Sequence, residues 1–466
     1  MTNTAELSRP DSFVKQLRSR WTARNSHLPA GPSKLPVLGD ALPFMRDPLG
    51  YVVRMSREYS ALCTTSMGLG MQVWVNDPEL IDEVFVARAK TWQKDTNTRQ
   101  LIPLLGQGLL TSEGELWRTQ RKLAAPAFVP KRIATYAQIM TECTTRYARS
   151  LRDHELREMH EDIMTLTLEI VGRTLLGVDT QQDSERVAKA LEQMGIYFEK
   201  RMLTLGGFFM EFMRTPAHAR FEKAIAELDS VVARIIDNAR KDPNADFLLA
   251  RLLAAQTEDG QSMSDRQARD EAMTMLLAGH ETTALTITYA LYALSRHPEH
   301  EARLRAEIAQ LGAAPATPNH LPRLPFLDAV IKETLRLYPA AWIIGRQLTS
   351  TLELAGYTLP AGVEVMACPY ALHRDARFFR EPELFDPERW LDPTHAPPRY
   401  AYIPFGVGPR SCIGSHFAKM EAALVLATLL QHVSVQVVPG YQLELRPLIT
   451  MRPKAGLPVI VRRLEH

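Results

Sequence analysis

The sequence predicts a mainly α fold with a smaller β-rich region, and three observations carry that prediction. Apolar residues recur at 3.6-residue spacing through the middle of the chain, for example Ile163, Leu166, Ile170 and Leu175. A second helical run extends from Ser264 towards Arg296. Strand-like patterning is limited to short stretches, among them 63–67 with 71–76 and 352–367.

Composition is that of an ordinary globular protein, with 45% hydrophobic and 23% charged residues. A formal net charge of +2 makes no case for a nucleic-acid partner. Length alone, 466 residues, would allow about three domains, and the chain has no internal repeat and no low-complexity stretch. The four cysteines, Cys63, Cys143, Cys368 and Cys412, show no paired spacing, which fits a reducing cytosol better than a disulfide framework. Residues 1–20 are polar and charged throughout, so they read as neither signal peptide nor membrane anchor.

Residues 1–30 read as a polar leader and hinge, closing in Leu28-Pro29-Ala30-Gly31-Pro32, where proline and glycine break helix and strand alike. Residues 47–59 read as a short helix, 63–67 and 71–76 as a hairpin, and Pro78 opens another helix from its first position. From 91 to 115 the periodicity fails, and Gly106, Gly108 and Gly114 mark a long loop of the kind that carries function. Trp117 and Arg121 follow, four apart on one helical face. By themselves they are a surface aromatic–cation pair. Residues 130–260 are mostly helical, and core packing explains nearly all of their pattern; 202–210 is apolar and broken by Gly206 and Gly207.

Ser264 with Gln267 three residues on is a capping-box pattern. The helix it opens would span roughly 45–50 Å at the usual rise per residue. Its middle, Ala278-Gly279-His280-Glu281-Thr282-Thr283, places a glycine, a carboxylate and two β-branched hydroxyls where a simple buried helix would not have them. A threonine there can bond back to a carbonyl one turn earlier or leave that bond for another partner. His280 reads as a helix-face residue on a solvated stripe. Pro325 leads a further helix in which Glu333 and Arg336 share a face, and Pro339 stops it. Residues 352–359 and 363–367 flank the turn Pro360-Ala361-Gly362, and 448–453 reads as strand and turn.

Phe405-Gly406-Val407-Gly408-Pro409-Arg410-Ser411-Cys412-Ile413-Gly414 sets a lone cysteine in a glycine-punctuated loop ahead of a helix-like run. A helix N-terminus favours the thiolate over the thiol. The glycines let backbone approach a flat ligand, and Arg410 offers a permanent cation. One thiolate without a second cysteine or a histidine at finger spacing suits haem iron better than zinc or an iron–sulfur cluster.

This stretch resembles the haem-binding loop of the cytochrome P-450 family, and four further motifs in family order extend the resemblance over essentially the whole chain after the leader. The resemblance implies a single cytochrome P-450 domain over 31–466 and a b-type haem ligated by Cys412. It implies cofactor contacts from Trp117, Arg121, Ala278, Gly279, Arg346, Phe405, Gly406, Arg410 and Gly414. It gives Thr282 the role of holding dioxygen and its water by hydrogen bonding, and Glu281 that of relaying protons. Glu333, Arg336 and Arg389 would form a buried structural triad. The implied substrate pocket includes Leu101, Ile102, Leu104, Leu105, Phe208, Phe209, Ala278, Trp342, Ile343, Ile344 and Ile449.

The function implied is monooxygenation of an apolar organic substrate such as a terpenoid, fatty acid or polyketide-like molecule. No flavin or iron–sulfur segment follows Cys412, so electrons would come from a separate ferredoxin and its reductase, or a flavodoxin. The absence of an anchor points to a soluble, cytoplasmic, bacterial-type monomer. A peroxide-driven hydroxylase and a non-catalytic haem sensor are the alternatives; neither has the same use for the Glu281-Thr282 pair.

Overall fold

The computed structural model describes residues 27–32, 39–59, 61–67, 70–178, 184–203, 215–242, 245, 247–255, 260, 262–312 and 314–464. Phe208 and Phe209 lie outside them. The chain divides into two compact units, one formed by residues 1–106, 341–384 and 397–412 and the other by 107–340, 385–396 and 413–466. No described helix is long and apolar enough to cross a membrane.

The first unit is built on a five-stranded sheet in the order Leu62–Met67, Gly70–Val75, Glu364–Ala367, Ile344–Leu348, Trp92–Lys94. Gly70–Val75 pairs in parallel with Glu364–Ala367, in the register Val73 to Val365, while the other pairings are antiparallel. Val73, Val75, Val363 and Val365 are fully buried, the β-branched filling expected of a packed sheet. The 91–115 stretch is not the single loop its sequence suggests. It holds the strand Trp92–Lys94 and the helices Thr96–Arg99 and Ile102–Leu105. These pieces are shorter than one period of apolar spacing can reveal. Asp95 fixes the first helix by accepting from the backbone N–H of Thr98 at 3.1 Å.

The second unit is organised on the helix Asp265–Arg296, 32 residues and so roughly 48 Å long. The capping box is formed as read, with Ser264 and Gln267 satisfying each other's backbone N–H groups. Every residue from Thr283 to Leu291 is buried. A helix covered on all sides needs neighbours on all sides. Met159–Val171 and Ser415–His432 are two of them.

Near its N-terminal end this helix clasps the turn at 107–112. The Asp270 carboxylate accepts from the backbone N–H of Gln107 at 2.7 Å, and Glu271 from that of Leu109 at 3.3 Å. Only glycine fits between them, because a Cβ at Gly108 would stand 2.6 Å from the Asp270 carbonyl oxygen and 2.2 Å from Thr274 Oγ1. Burial, against the opposing Leu109 hydrogen bond, pushes the Glu271 carboxyl up to about 7. The folded chain therefore keeps this proton at pH values where the unfolded chain has lost it. That lowers stability as pH rises from the ordinary carboxylate range to about 7, by up to about 3 kcal/mol. Glu271→Gln is expected to raise the melting temperature at pH 8 and to leave it unchanged near pH 4, read by calorimetry at both values.

Candidate active site

In the first unit the cysteine loop is closed by a hydrogen bond from the Cys412 N–H to the Phe405 carbonyl at 2.8 Å. Gly406 and Gly408 take φ values of +70° and +67° within it. At Gly408 the loop backbone lies against the chain at Phe85, where a Cβ would meet the Phe85 carbonyl oxygen at 2.4 Å, so no other residue fits. The loop is also steadied from its N-terminal side, where fully buried His373 accepts from the Ile403 N–H at 2.9 Å.

Cys412 is exposed, whereas Cys63, Cys143 and Cys368 are buried. Burial pushes the Cys143 thiol up to about 11 and the Cys368 thiol up to about 12, which leaves both protonated and unreactive. In the same unit Arg346 is 5% exposed, its guanidinium 4.7 Å from the Trp92 ring centroid and 5.8 Å from that of Phe85. Its Nη1 donates to the Gly345 carbonyl at 2.7 Å. An exposed thiol, a glycine-bearing loop and the cations Arg346 and Arg410 are a donor set that fits a flat, acidic cofactor with a thiolate-ligated metal.

In the second unit Ala278-Gly279-His280-Glu281-Thr282-Thr283 lies in an uninterrupted α-helix. The Thr282 hydroxyl donates to the Ala278 carbonyl at 2.9 Å, and that of Thr283 to Gly279 at 3.2 Å, so both back-bond to the preceding turn. Ala278 is exposed, and Gly279 and Thr282 are half-exposed. His280 is not on a solvated stripe. It is 1% exposed, its Nδ1 is 2.6 Å from the Leu276 carbonyl, and burial holds it neutral. Glu281 is 9% exposed and accepts from Arg452 Nε at 2.6 Å and from the Thr450 hydroxyl. Burial alone would raise its pKa; the Arg452 guanidinium more than offsets that and keeps it below the ordinary carboxylate range. Sequence reading missed Arg452. A buried carboxylate requires a cation, but nothing in the pattern says which of 55 lysines and arginines supplies it.

The structure brings Glu333, Arg336 and Arg389 together. Arg336 Nε and Nη2 each donate to Glu333 at 2.8 Å, and Arg389 Nε donates at 3.0 Å. Two further donors were not anticipated, the Asp386 N–H at 2.9 Å and Trp390 Nε1 at 2.9 Å. Trp117 and Arg121 sit one turn apart on the helix Gly114–Ala124, both half-buried. Phe405 and Gly414 are half-exposed.

The residues singled out as pocket candidates fall into two groups. Leu101, Leu104 and Leu105 are buried, and so is Trp342, whose ring stacks on Phe44 at 6.4 Å. Trp342 is therefore a packing residue of the first unit and not an open lining. Ile102, Ile343 and Ile344 remain half-exposed, and Ile449 is 43% exposed at the turn between Leu445–Pro447 and Met451–Pro453.

Comparison with known proteins identifies the family. A family model described as cytochrome P-450 matches residues 29–457. The chain is 34% identical to cyclooctatin synthase of Streptomyces melanosporofaciens, over 95% of this chain and 97% of that one. It is 33% identical to pentalenene oxygenase of Streptomyces avermitilis, over 90% and 93% respectively. A solved structure, retinoic acid-bound cyanobacterial CYP120A1, superposes with a TM-score of 0.83 at 26% identity, covering 94% of this chain and all of that one. The chain belongs to the cytochrome P-450 family and is a monooxygenase.

Proposed function

We propose that this cytochrome P-450 monooxygenase inserts oxygen into a terpenoid, with Cys412 as the thiolate ligand of a b-type haem. The observation that supports the ligand assignment most is that Cys412 is exposed in a glycine cradle while the other three cysteines are buried. When bound, the haem of this family activates dioxygen, so that one oxygen atom enters an organic substrate and the other leaves as water. Trp117, Arg121, Ala278, Gly279, Arg346, Phe405, Gly406, Arg410 and Gly414 would be the residues that hold the haem. Similarity to cyclooctatin synthase and pentalenene oxygenase supports a cyclic terpenoid substrate. The half-exposed Ile102, Ile343 and Ile344 and the exposed Ile449 are apolar, as such a molecule requires. An acidic ferredoxin with its reductase supplies electrons to a cytoplasmic monomer. Lys122 and Lys419 are exposed and offer it positive charge, as does Arg118, which is ion-paired with Glu115.

Thr282 and Glu281 handle protons. The Thr282 hydroxyl, satisfied by the Ala278 carbonyl as a donor, keeps its lone pairs free to accept from a water and so to hold that water against the helix. Glu281 relays protons from solvent to that water, one at a time. Thr282→Ala should keep haem and the substrate-induced Soret shift, yet lower product per oxygen consumed by about tenfold or more, the rest appearing as peroxide. Alanine is the better helix former by about 0.5 kcal/mol, so unfolding does not explain such a loss. The test is turnover of cyclic terpenes with reduced ferredoxin, with product and peroxide counted together. Fully coupled product formation by the variant would refute the role, and turnover with peroxide alone would favour the peroxide-driven alternative.

A further inference from the structure

We propose that His297, Glu299 and His300 form a binding site for a zinc ion at the turn that ends the long helix. His297 caps Asp265–Arg296, and Pro298 opens the next helix, Pro298–Ala309. Backbone fixes this turn. The His297 N–H donates to the Leu294 carbonyl at 3.0 Å, and the His297 carbonyl accepts from the N–H of His300 at 3.0 Å and of Glu301 at 3.1 Å. One donor atom from each of the three side chains falls within 4.8 Å of the other two. No residue of the cysteine loop and none of the haem contacts named above takes part.

Zinc bonds of about 2.0–2.1 Å to nitrogen and oxygen, in a tetrahedral shell, set neighbouring donor atoms about 3.3–3.4 Å apart. His297 Nδ1 and Glu299 Oε1 already stand at 3.3 Å. The His300 nitrogen has at most about 1.5 Å to close, within the reach of a side-chain rotation. Aromatic walls brace both imidazoles. His297 stacks on Phe385 with ring centroids 5.4 Å apart, and His300 lies 5.9 Å from Phe385 and 6.0 Å from Phe326. Phe326 and Phe385 are themselves buried. The Glu299 side chain is 62% exposed, so water can complete the shell. The C-terminal end of the long helix favours a cation, and the start of the next favours the Glu299 carboxylate. Arg303, one turn on, lies 4.3 Å from the Phe326 ring centroid and is ion-paired with Glu388, which balances its charge. Two imidazoles and one carboxylate do not suit magnesium or calcium, which take oxygen ligands, nor copper(I), which prefers sulfur. Zinc accepts this set and, lacking a geometric preference from its d electrons, tolerates an irregular triangle of donors.

The test is calorimetric titration of zinc into the tag-free, haem-loaded protein, in a buffer that does not chelate metal. The wild type should show one site per chain that is tighter than any other. Zinc-edge X-ray absorption, which haem iron does not overlap, should show imidazole and carboxylate scattering from that site and no sulfur. Glu299→Ala and His300→Ala should each weaken it by about 100-fold or more, since even outer-shell partners of a metal site are worth about 10–100-fold. His395→Ala should leave it unchanged, because the exposed His395–Asp392 pair joins no third ligand among the described residues. A large excess of magnesium should not displace the zinc. The proposal is overturned if the wild type takes up no zinc, if either variant binds it as the wild type does, if the absorption shows sulfur, or if magnesium competes. Should His300→Ala not accumulate, Glu299→Ala decides alone, since that side chain is exposed and packs against no core residue.

Discussion

Cys412→Ala is expected to abolish turnover and, with it, the red-shifted absorbance that the reduced, carbon monoxide-treated protein should show. Cys412 is exposed and its backbone N–H bond to Phe405 does not involve the side chain. Substitution at an exposed site ordinarily changes the stability of the fold itself by no more than about 0.5 kcal/mol, so circular dichroism of the haem-free protein should be unchanged. The loss would then belong to the chemistry, because the thiolate proposed to hold the haem iron and enrich it in electron density would be gone. Neither Cys143 nor Cys368 can substitute, since both are buried with raised thiol pKa values. A variant that kept the thiolate-type band would remove the ligand assignment.

Glu333→Ala is expected to have the largest effect on stability. Glu333 and Arg336 are both 0% exposed, and the carboxylate accepts from five donors on Arg336, Arg389, Trp390 and the Asp386 backbone. Burial acts to raise its pKa, but the hydrogen bonds and charge of Arg336, then Arg389, hold it below the usual carboxylate range. Removing the carboxylate strands a fully buried guanidinium, at a cost of about 3–5 kcal/mol. Against a typical total stability of about 5–15 kcal/mol, that is enough to leave little folded protein at 37 °C. Because the folded-state pKa is depressed, this contribution is present at neutral pH and is lost only as pH falls through and below the ordinary carboxylate range. Denaturant titration and haem retention at pH 7 check it. Wild-type-like midpoints would show that the triad adds little.

What was legible in the chain follows from how local each signal is. The capping box at Ser264, the Glu333–Arg336 spacing and the glycine-flanked cysteine are all written within a few residues, and each reads directly into geometry. The contacts that sequence could not supply are long-range. Arg452 meets Glu281 across 171 positions and Trp390 meets Glu333 across 57, each from a segment whose own pattern is that of ordinary strand or turn. His280 reads as a surface residue because the helix is polar around it, and only the packing of neighbours shows it to be buried. The short pieces at 92–105 escaped for a different reason, since three or four residues cannot display a period. The π-helical turns Glu83–Ala87 and Gly172–Leu176 have no residue signal at all.

The contact of Gly408 with the Phe85 carbonyl has a bearing on how such a protein can diversify. Main chain rests on main chain there, so this point of the loop is placed by backbone and not by the identity of a side chain. Residues that shape selectivity can be exchanged in the laboratory without re-engineering the ligand loop, provided that position 408 stays without a side chain. Libraries aimed at new substrates should therefore tolerate broader variation at exposed Ile449 than at this one glycine, where almost none is expected.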